Sequence, residues 1–134
     1  MIKRIRSTKI VACDVDKTLI FLPGEYPPNT PKKLLITIKN KKGLKVKALP
    51  HYRHIEMLKN FAVRGHTVVV WSAGSEEWAF YICKILKLTN VVDYTMDKFD
   101  WYFDDLLPQQ FMKGRIYLDP FDSSKDTSDH ILKK

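Results

Sequence analysis

The chain has 134 residues, 45% of them hydrophobic and 28% charged, which suits one domain with one core and argues against wholesale disorder. Its 23 Lys and Arg against 15 Asp and Glu leave a formal charge of +8. Such a balance fits anionic partners (nucleic acid, phosphorylated small molecules, an acidic membrane face) and equally fits a merely soluble surface.

The N-terminus "MIKRIRSTKIVAC" starts basic, but Asp14 and Asp16 interrupt its apolar stretch too early for a signal peptide. No run approaches the ~20 apolar residues of a membrane span. Cys13 and Cys83 both sit in apolar runs, which argues against a disulfide framework or a zinc site and for packing roles. The expectation is a cytoplasmic protein without a membrane partner.

"KIVAC" (9–13) is short, β-rich and bounded by charge, so it reads as a buried strand. "LPGEYPPNTP" (22–31) is a proline-rich loop. Residues 34–49, "LLITIKNKKGLKVKAL", predict a β-hairpin turning at "NKKG", where Gly43 supplies positive φ. Ile36 and Ile38 line one face of its first arm, and Leu44, Val46 and Ala48 that of its second. Residues 51–64 place Ile55, Leu58, Phe61 and Ala62 at helical spacing, with Gly65 as the stop. "HTVVVW" (66–71) is a second buried strand, followed by the turn "SAGS". Ser75 can cap a helix that carries Glu76 and Glu77 in its first turn and runs to about Leu88. "VVDYTM" (91–96), "WYF" (101–103) and "RIYL" (115–118) are further strand candidates. The tail after Asp119 is polar, with a closing helical turn expected over 130–133. Alternating strands and helices argue an α/β domain spanning 1–134: a Rossmann-like parallel sheet of about five strands, helices on both faces, and the hairpin as an insertion. Ligands gather at the carboxyl ends of such strands, the edge where Asp14, Asp16, Ser72, Asp104 and Asp105 are expected.

Asp14 and Asp16 pose a problem there. Two carboxylates about 5 Å apart repel by roughly 3 kcal/mol at an effective dielectric of 20, so a cation, a shared proton or wide exposure must offset them. Four readings compete for "DVDKTL" (14–19). A calcium loop would use Asp14, Asp16, Thr18 and Glu25, but Leu19 stands where the sharp turn needs Gly, and a strand precedes it. A metal-holding Asp-x-Asp of a sugar-nucleotide transferase suits a longer chain. A phosphorylated receiver domain orders its acids differently.

The fourth reading takes the motifs in order: "DVDKTL" (14–19), "VVVWSAGS" (68–75) and "DKFDWYFDDL" (97–106). In these the chain resembles the haloacid dehalogenase superfamily of phosphotransferases, over most of its length, as a small, minimally capped member. The resemblance implies a magnesium-dependent phosphatase working through an aspartyl-phosphate. Asp14 would be the nucleophile, and Asp16 the general acid and then base. Thr18 and Ser72 would fix carboxylate and phosphoryl oxygens, and N–H groups at Ala73 and Gly74 would add donors. Lys98 would neutralise the phosphoryl group, and Asp104 or Asp105 would join Asp14 and the Asp16 carbonyl in holding Mg²⁺.

Between Thr18 and Ser72 there is room for the hairpin and one helix, not for a full cap domain. Minimal caps fit nucleic-acid ends or phosphoproteins, although nucleotides and sugar phosphates remain open. Seven lysines lie between positions 32 and 47. Lys41, Lys42, Lys45 and Lys47, on or beside the hairpin turn, fit either a surface for nucleic acid or a solvated edge that prevents strand pairing. The alternative function is a catalytically silent module of the same fold that binds nucleic acid or a protein.

Overall fold

The computed structural model describes residues 9–130. The basic start and residues 131–134, which include most of the expected closing turn, lie outside the described residues. In chain order the elements are β1 (Ile10–Cys13), β2 (Ile20–Phe21), β3 (Ile36–Lys39), β4 (Lys45–Pro50), α1 (Tyr52–Val63), β5 (Thr67–Ser72), α2 (Glu76–Ile85), β6 (Tyr94–Asp97), α3 (Pro108–Phe111), β7 (Gly114–Tyr117) and β8 (Thr127–His130). They fall into two compact units, one ending at Lys98 and the next beginning at Phe99.

The first unit is mixed α/β. Its main sheet is parallel and three-stranded, in the order β1-β5-β6. α1 forms where the apolar positions recur at helical spacing: Ile55 and Leu58 are buried against the sheet, and Gly65 takes a φ of +90° just past the end. α2 begins as its sequence predicts, with the Ser75 side chain accepting from Trp78 N–H at 3.0 Å and Glu76 and Glu77 in the first turn. It ends at Ile85, short of Leu88, and Lys87 turns the chain at φ 60°.

Helices on both faces of this sheet were the expectation, and the topology of the unit differs. Ile55 and Leu58 of α1 and Ala79, Ile82 and Cys83 of α2 share one buried cluster with Cys13, Val68 and Val70, which puts both helices on one face, as right-handed crossovers stepping in one direction would. That face carries Val11, Cys13, Val68 and Val70. The alternate positions carry Ile10, 67% exposed, and Tyr94, 57% exposed. Ile82→Ala, at a fully buried site in the core under α2, is therefore expected to cost about 2–5 kcal/mol in a urea titration. Ile10→Ala on the open face should cost less than about 0.5 kcal/mol. Equal losses would contradict the one-sided core.

The hairpin folds as β3 and β4 around Gly43, which has a φ of +82°. Ile38 and Ala48 point into the core, whereas Leu44 at the turn is exposed. β2 adds to β4, with Ile20 opposite Pro50 and Phe21 opposite Leu49, making a three-stranded antiparallel sheet. A two-residue strand has no periodicity of its own and is set by its partner.

The expectation of about five parallel strands is corrected to three among the described residues. "WYF" forms no strand. Local bonds serve its neighbourhood instead: the Asp104 carboxylate accepts from Leu106 N–H at 3.0 Å, and Gln110 Oε1 accepts from Leu107 N–H at 2.7 Å. "RIYL" does form a strand, β7, but pairs antiparallel with β8 in the tail. The acid-rich connection makes that return possible. Asp119 accepts from the N–H groups of Phe121 and Asp122, and Asp122 accepts from Ser124 N–H. The Ser124 hydroxyl and N–H bonds hold the Asp122 carboxyl below its ordinary range. His130 thus ends a strand rather than opening a helix.

Both cysteines are free and buried. Burial pushes the Cys83 thiol up to about 12. Burial, and then the neighbouring Asp14 charge, push Cys13 further still. Neither is a thiolate near neutral pH, as packing roles require. No helix among the described residues is long and apolar enough to cross a membrane.

Candidate active site

Cys13 pairs with Val70 at the end of β1. Asp14 follows directly after the end of β1, and Ser72 ends β5 two residues beyond Val70. The Asp14 side chain is half-buried, and among the described residues no hydrogen bond or ion pair engages the carboxylate.

The chain then turns sharply. Val15, fully buried, anchors the turn, its carbonyl accepting from the N–H groups of Thr18, Leu19 and Ile20 at 3.2, 2.8 and 3.2 Å. Lys17 takes a φ of 61°, a left-handed conformation that costs a residue with a Cβ about 1–2 kcal/mol. Two histidines hold the turn from behind, and sequence reasoning had given them no role. His54 Nδ1 lies 2.6 Å from the Thr18 carbonyl oxygen. A carbonyl only accepts, so that nitrogen carries a proton. His51 N–H donates to the Leu19 carbonyl at 2.8 Å, and His51 Nδ1 accepts from His54 N–H at 3.1 Å, capping α1. Their rings stack at 3.6 Å, and both residues are buried. The start of α1 is thereby fastened to the acidic turn.

Asp16 is engaged at both oxygens. Trp78 Nε1 donates to Oδ1 at 3.0 Å, and the Lys41 ammonium donates to Oδ2 at 3.1 Å. Lys41 also lies 5.3 Å from the centroid of the Trp78 ring, within cation–π range. It reaches this point because the hairpin turn is tied down. Asn40 Oδ1 accepts from Lys42 and Leu44 N–H. Lys39 N–H donates at 2.8 Å to the hydroxyl of Tyr81, whose ring stacks on Trp78. Part of the offset for paired acids thus comes from a lysine of the hairpin, 25 residues along the chain from Asp16.

On β5, Ser72 is 1% exposed, and its hydroxyl accepts from Gly74 N–H at 2.9 Å. Its carbonyl accepts from Lys98 N–H at 3.0 Å, which holds the end of β6 beside it. Ala73 and Gly74 are exposed between Ser72 and the start of α2. A Cβ on Gly74 would lie 2.8 Å from Lys41 Nζ, so the glycine leaves the space the ammonium occupies.

The first unit therefore brings Asp14, Asp16, Thr18, Ser72, Ala73, Gly74 and the Lys98 backbone to one sheet edge. The Lys98 ammonium lies 5.9 Å from the centroid of Trp71, whose side chain alternates to the sheet face away from Ser72. Asp104 and Asp105 belong to the second unit and are exposed there. Among the described residues, no group of three or more His, Cys, Asp or Glu side chains is arranged to hold a metal ion. The histidine brace, Trp78 and Lys41 escaped sequence reasoning because each acts across a long separation; only Trp78, opening a capped helix after "SAGS", carried a local hint. No protein-family model matches the chain, and no curated protein matches it.

Proposed function

We propose that this protein is a phosphomonoester hydrolase of the haloacid dehalogenase type that uses Mg²⁺ and an aspartyl-phosphate intermediate. The observation that carries the reading is the Asp14 carboxylate: half-buried just past the carboxyl end of a parallel strand, unengaged among the described residues, in a sheet whose next strand ends at a buried serine. A partly buried carboxylate without a partner costs stability unless its charge is used. The finer fold reading, a Rossmann-like core with the hairpin as minimal cap, belongs to the same proposal, as does residence in the cytoplasm, where thiols stay reduced.

In the first step an Asp14 oxygen attacks phosphorus, the bond to the leaving oxygen breaks, and Asp16 gives that oxygen a proton. In the second, Asp16 takes a proton from water, the water oxygen attacks phosphorus, and the bond to Asp14 breaks to release inorganic phosphate. Ser72 and the N–H group of Ala73 orient phosphoryl oxygens, and the Gly74 N–H, which donates to the Ser72 hydroxyl, holds that hydroxyl in place. The donors of the first unit, the Asp14 carboxylate and the Asp16 carbonyl, suit Mg²⁺, which prefers hard oxygens. When bound, the ion would offset negative charge at the phosphoryl group. Phosphate release from a panel of nucleotides, sugar phosphates and 3′- or 5′-phosphorylated oligonucleotides, with Mg²⁺ and with excess chelator, tests the reading. Release that needs Mg²⁺ supports it; no release from any ester overturns it.

A second reading, a silent module binding nucleic acid or a protein, is favoured by one observation: both Asp16 oxygens are occupied by Trp78 and Lys41. The panel separates the two readings. If a nucleic-acid end is the substrate, the exposed Lys42, Lys45 and Lys47 are its backbone contacts. Changing these three to Glu should raise KM for a phosphorylated oligonucleotide and leave a small aryl phosphate nearly unaffected. The wild-type salt dependence should have a log–log slope near roughly −2 for three single-strand contacts. Equal effects on both substrates would reduce these lysines to a solvated edge.

A further inference from the structure

We infer that Lys41 is the residue of the hairpin that receives the substrate's phosphoryl group, exchanging its bond to Asp16 Oδ2 for a phosphoryl oxygen as the ester enters. This rests on the phosphatase reading and adds to it a binding residue that the motifs do not contain.

Four observations converge. The Lys41 ammonium lies 3.1 Å from the carboxylate assigned to proton transfer. It occupies the space over Gly74, in the turn whose Ala73 N–H would meet a phosphoryl oxygen, where a Cβ would come within 2.8 Å of it. Its side chain is 49% exposed and that of Asp16 36% exposed, so the pair is of the weak, solvent-screened kind that a better acceptor can replace. A phosphate ester, with its greater charge and its several acceptor oxygens, is such an acceptor. The ammonium of Lys98, the cation the motifs supply, lies 5.9 Å from the centroid of the Trp71 ring, whereas no bond joins it to Asp16 among the described residues.

The exchange has a consequence for catalysis. While Lys41 holds Asp16 Oδ2, that oxygen cannot carry the proton for a leaving group. Transfer of the ammonium to the phosphoryl group frees it, while Trp78 keeps the carboxyl oriented through Oδ1. Asp16 is thus released for acid chemistry when a phosphate arrives. The Lys39–Tyr81 bond keeps the hairpin in register for this. Recognition is of the phosphate itself, so it extends to small esters that never reach Lys42, Lys45 or Lys47.

The test combines calorimetric titration of inorganic phosphate with steady-state hydrolysis of para-nitrophenyl phosphate in Mg²⁺. Lys41→Gln should weaken phosphate binding and lower kcat/KM by about tenfold or more, the scale of one charge-assisted hydrogen bond. Most of the loss should lie in KM. Lys41→Arg should recover to within about threefold. Gly74→Ala should reproduce the KM increase with no change of charge, because its methyl takes the ammonium's place. A purely structural ion pair would move thermal stability and leave the phosphate affinity alone. Wild-type phosphate affinity and KM in Lys41→Gln, with the loss appearing in Lys98→Gln, would overturn the inference and leave the phosphatase reading standing. A wild-type protein that neither binds phosphate nor hydrolyses the ester would sink both.

Discussion

Asp14→Asn is expected to release no measurable phosphate from any ester the wild-type protein accepts, a loss of about 10⁴-fold or more, the scale seen when a covalent nucleophile is removed from other enzymes. An amide nitrogen or oxygen is too weak a nucleophile to form the acyl phosphate. The substitution is nearly isosteric and breaks no hydrogen bond among the described residues. The thermal midpoint should therefore stay the same or rise, since a half-buried charge two residues from Asp16 is removed. Activity and stability moving in opposite directions is the signature of a group kept for chemistry. Full activity in a verified Asp14→Asn preparation would exclude Asp14 as nucleophile.

Asp16→Asn should lower kcat by roughly 10²–10⁴-fold for esters with poor leaving groups, the usual worth of general acid–base help. Aryl phosphates need little protonation of the leaving oxygen, so their first step should be nearly unaffected. Their second step still needs a base for water. The variant should therefore give a burst of about one equivalent of phenolate and then stall, with phosphate retained on the protein. Stability should change by less than about 1 kcal/mol. The Lys41 pair is half-exposed, and Asn keeps an oxygen for Trp78 Nε1. A uniform slowing across all leaving groups, without a burst, would remove Asp16 from proton transfer.

Much of the first unit was legible because its signals are local. β1 follows from four β-rich residues bounded by charge, α2 from Ser75 with Glu76 and Glu77 behind it, and the hairpin from alternation on either side of Gly43. The rest depends on what meets what. "WYF" has the composition of a buried strand, yet a strand needs a partner edge, and composition does not supply one. "RIYL" did find a partner, but in the tail, because Asp119 and Asp122 fold the connection back. Reading only the alternation of elements missed that return.

The candidate site divides in the same way. Asp14, Asp16 and Ser72 could be read because strand ends and their order in the chain are visible in sequence. The support around them was not. His51 and His54 lack metal-ligand spacing and so drew no attention, although they grip the Leu19 and Thr18 carbonyls. Lys41 was one of seven similar lysines until the hairpin register aimed it at Asp16. Trp78 is a core aromatic, but its indole N–H donates to a carboxylate 62 residues away. A buried tryptophan needs an acceptor, and that requirement alone could have suggested an acidic neighbour.

The most direct measurement is an acid quench of Asp16→Asn after brief exposure to para-nitrophenyl phosphate and Mg²⁺, followed by peptide mass mapping. The account predicts about one phosphoryl group per chain, attached at Asp14 and discharged by hydroxylamine, as an acyl phosphate should be. Turnover by the wild-type protein with no adduct in the variant, or an adduct on any other residue, would contradict it.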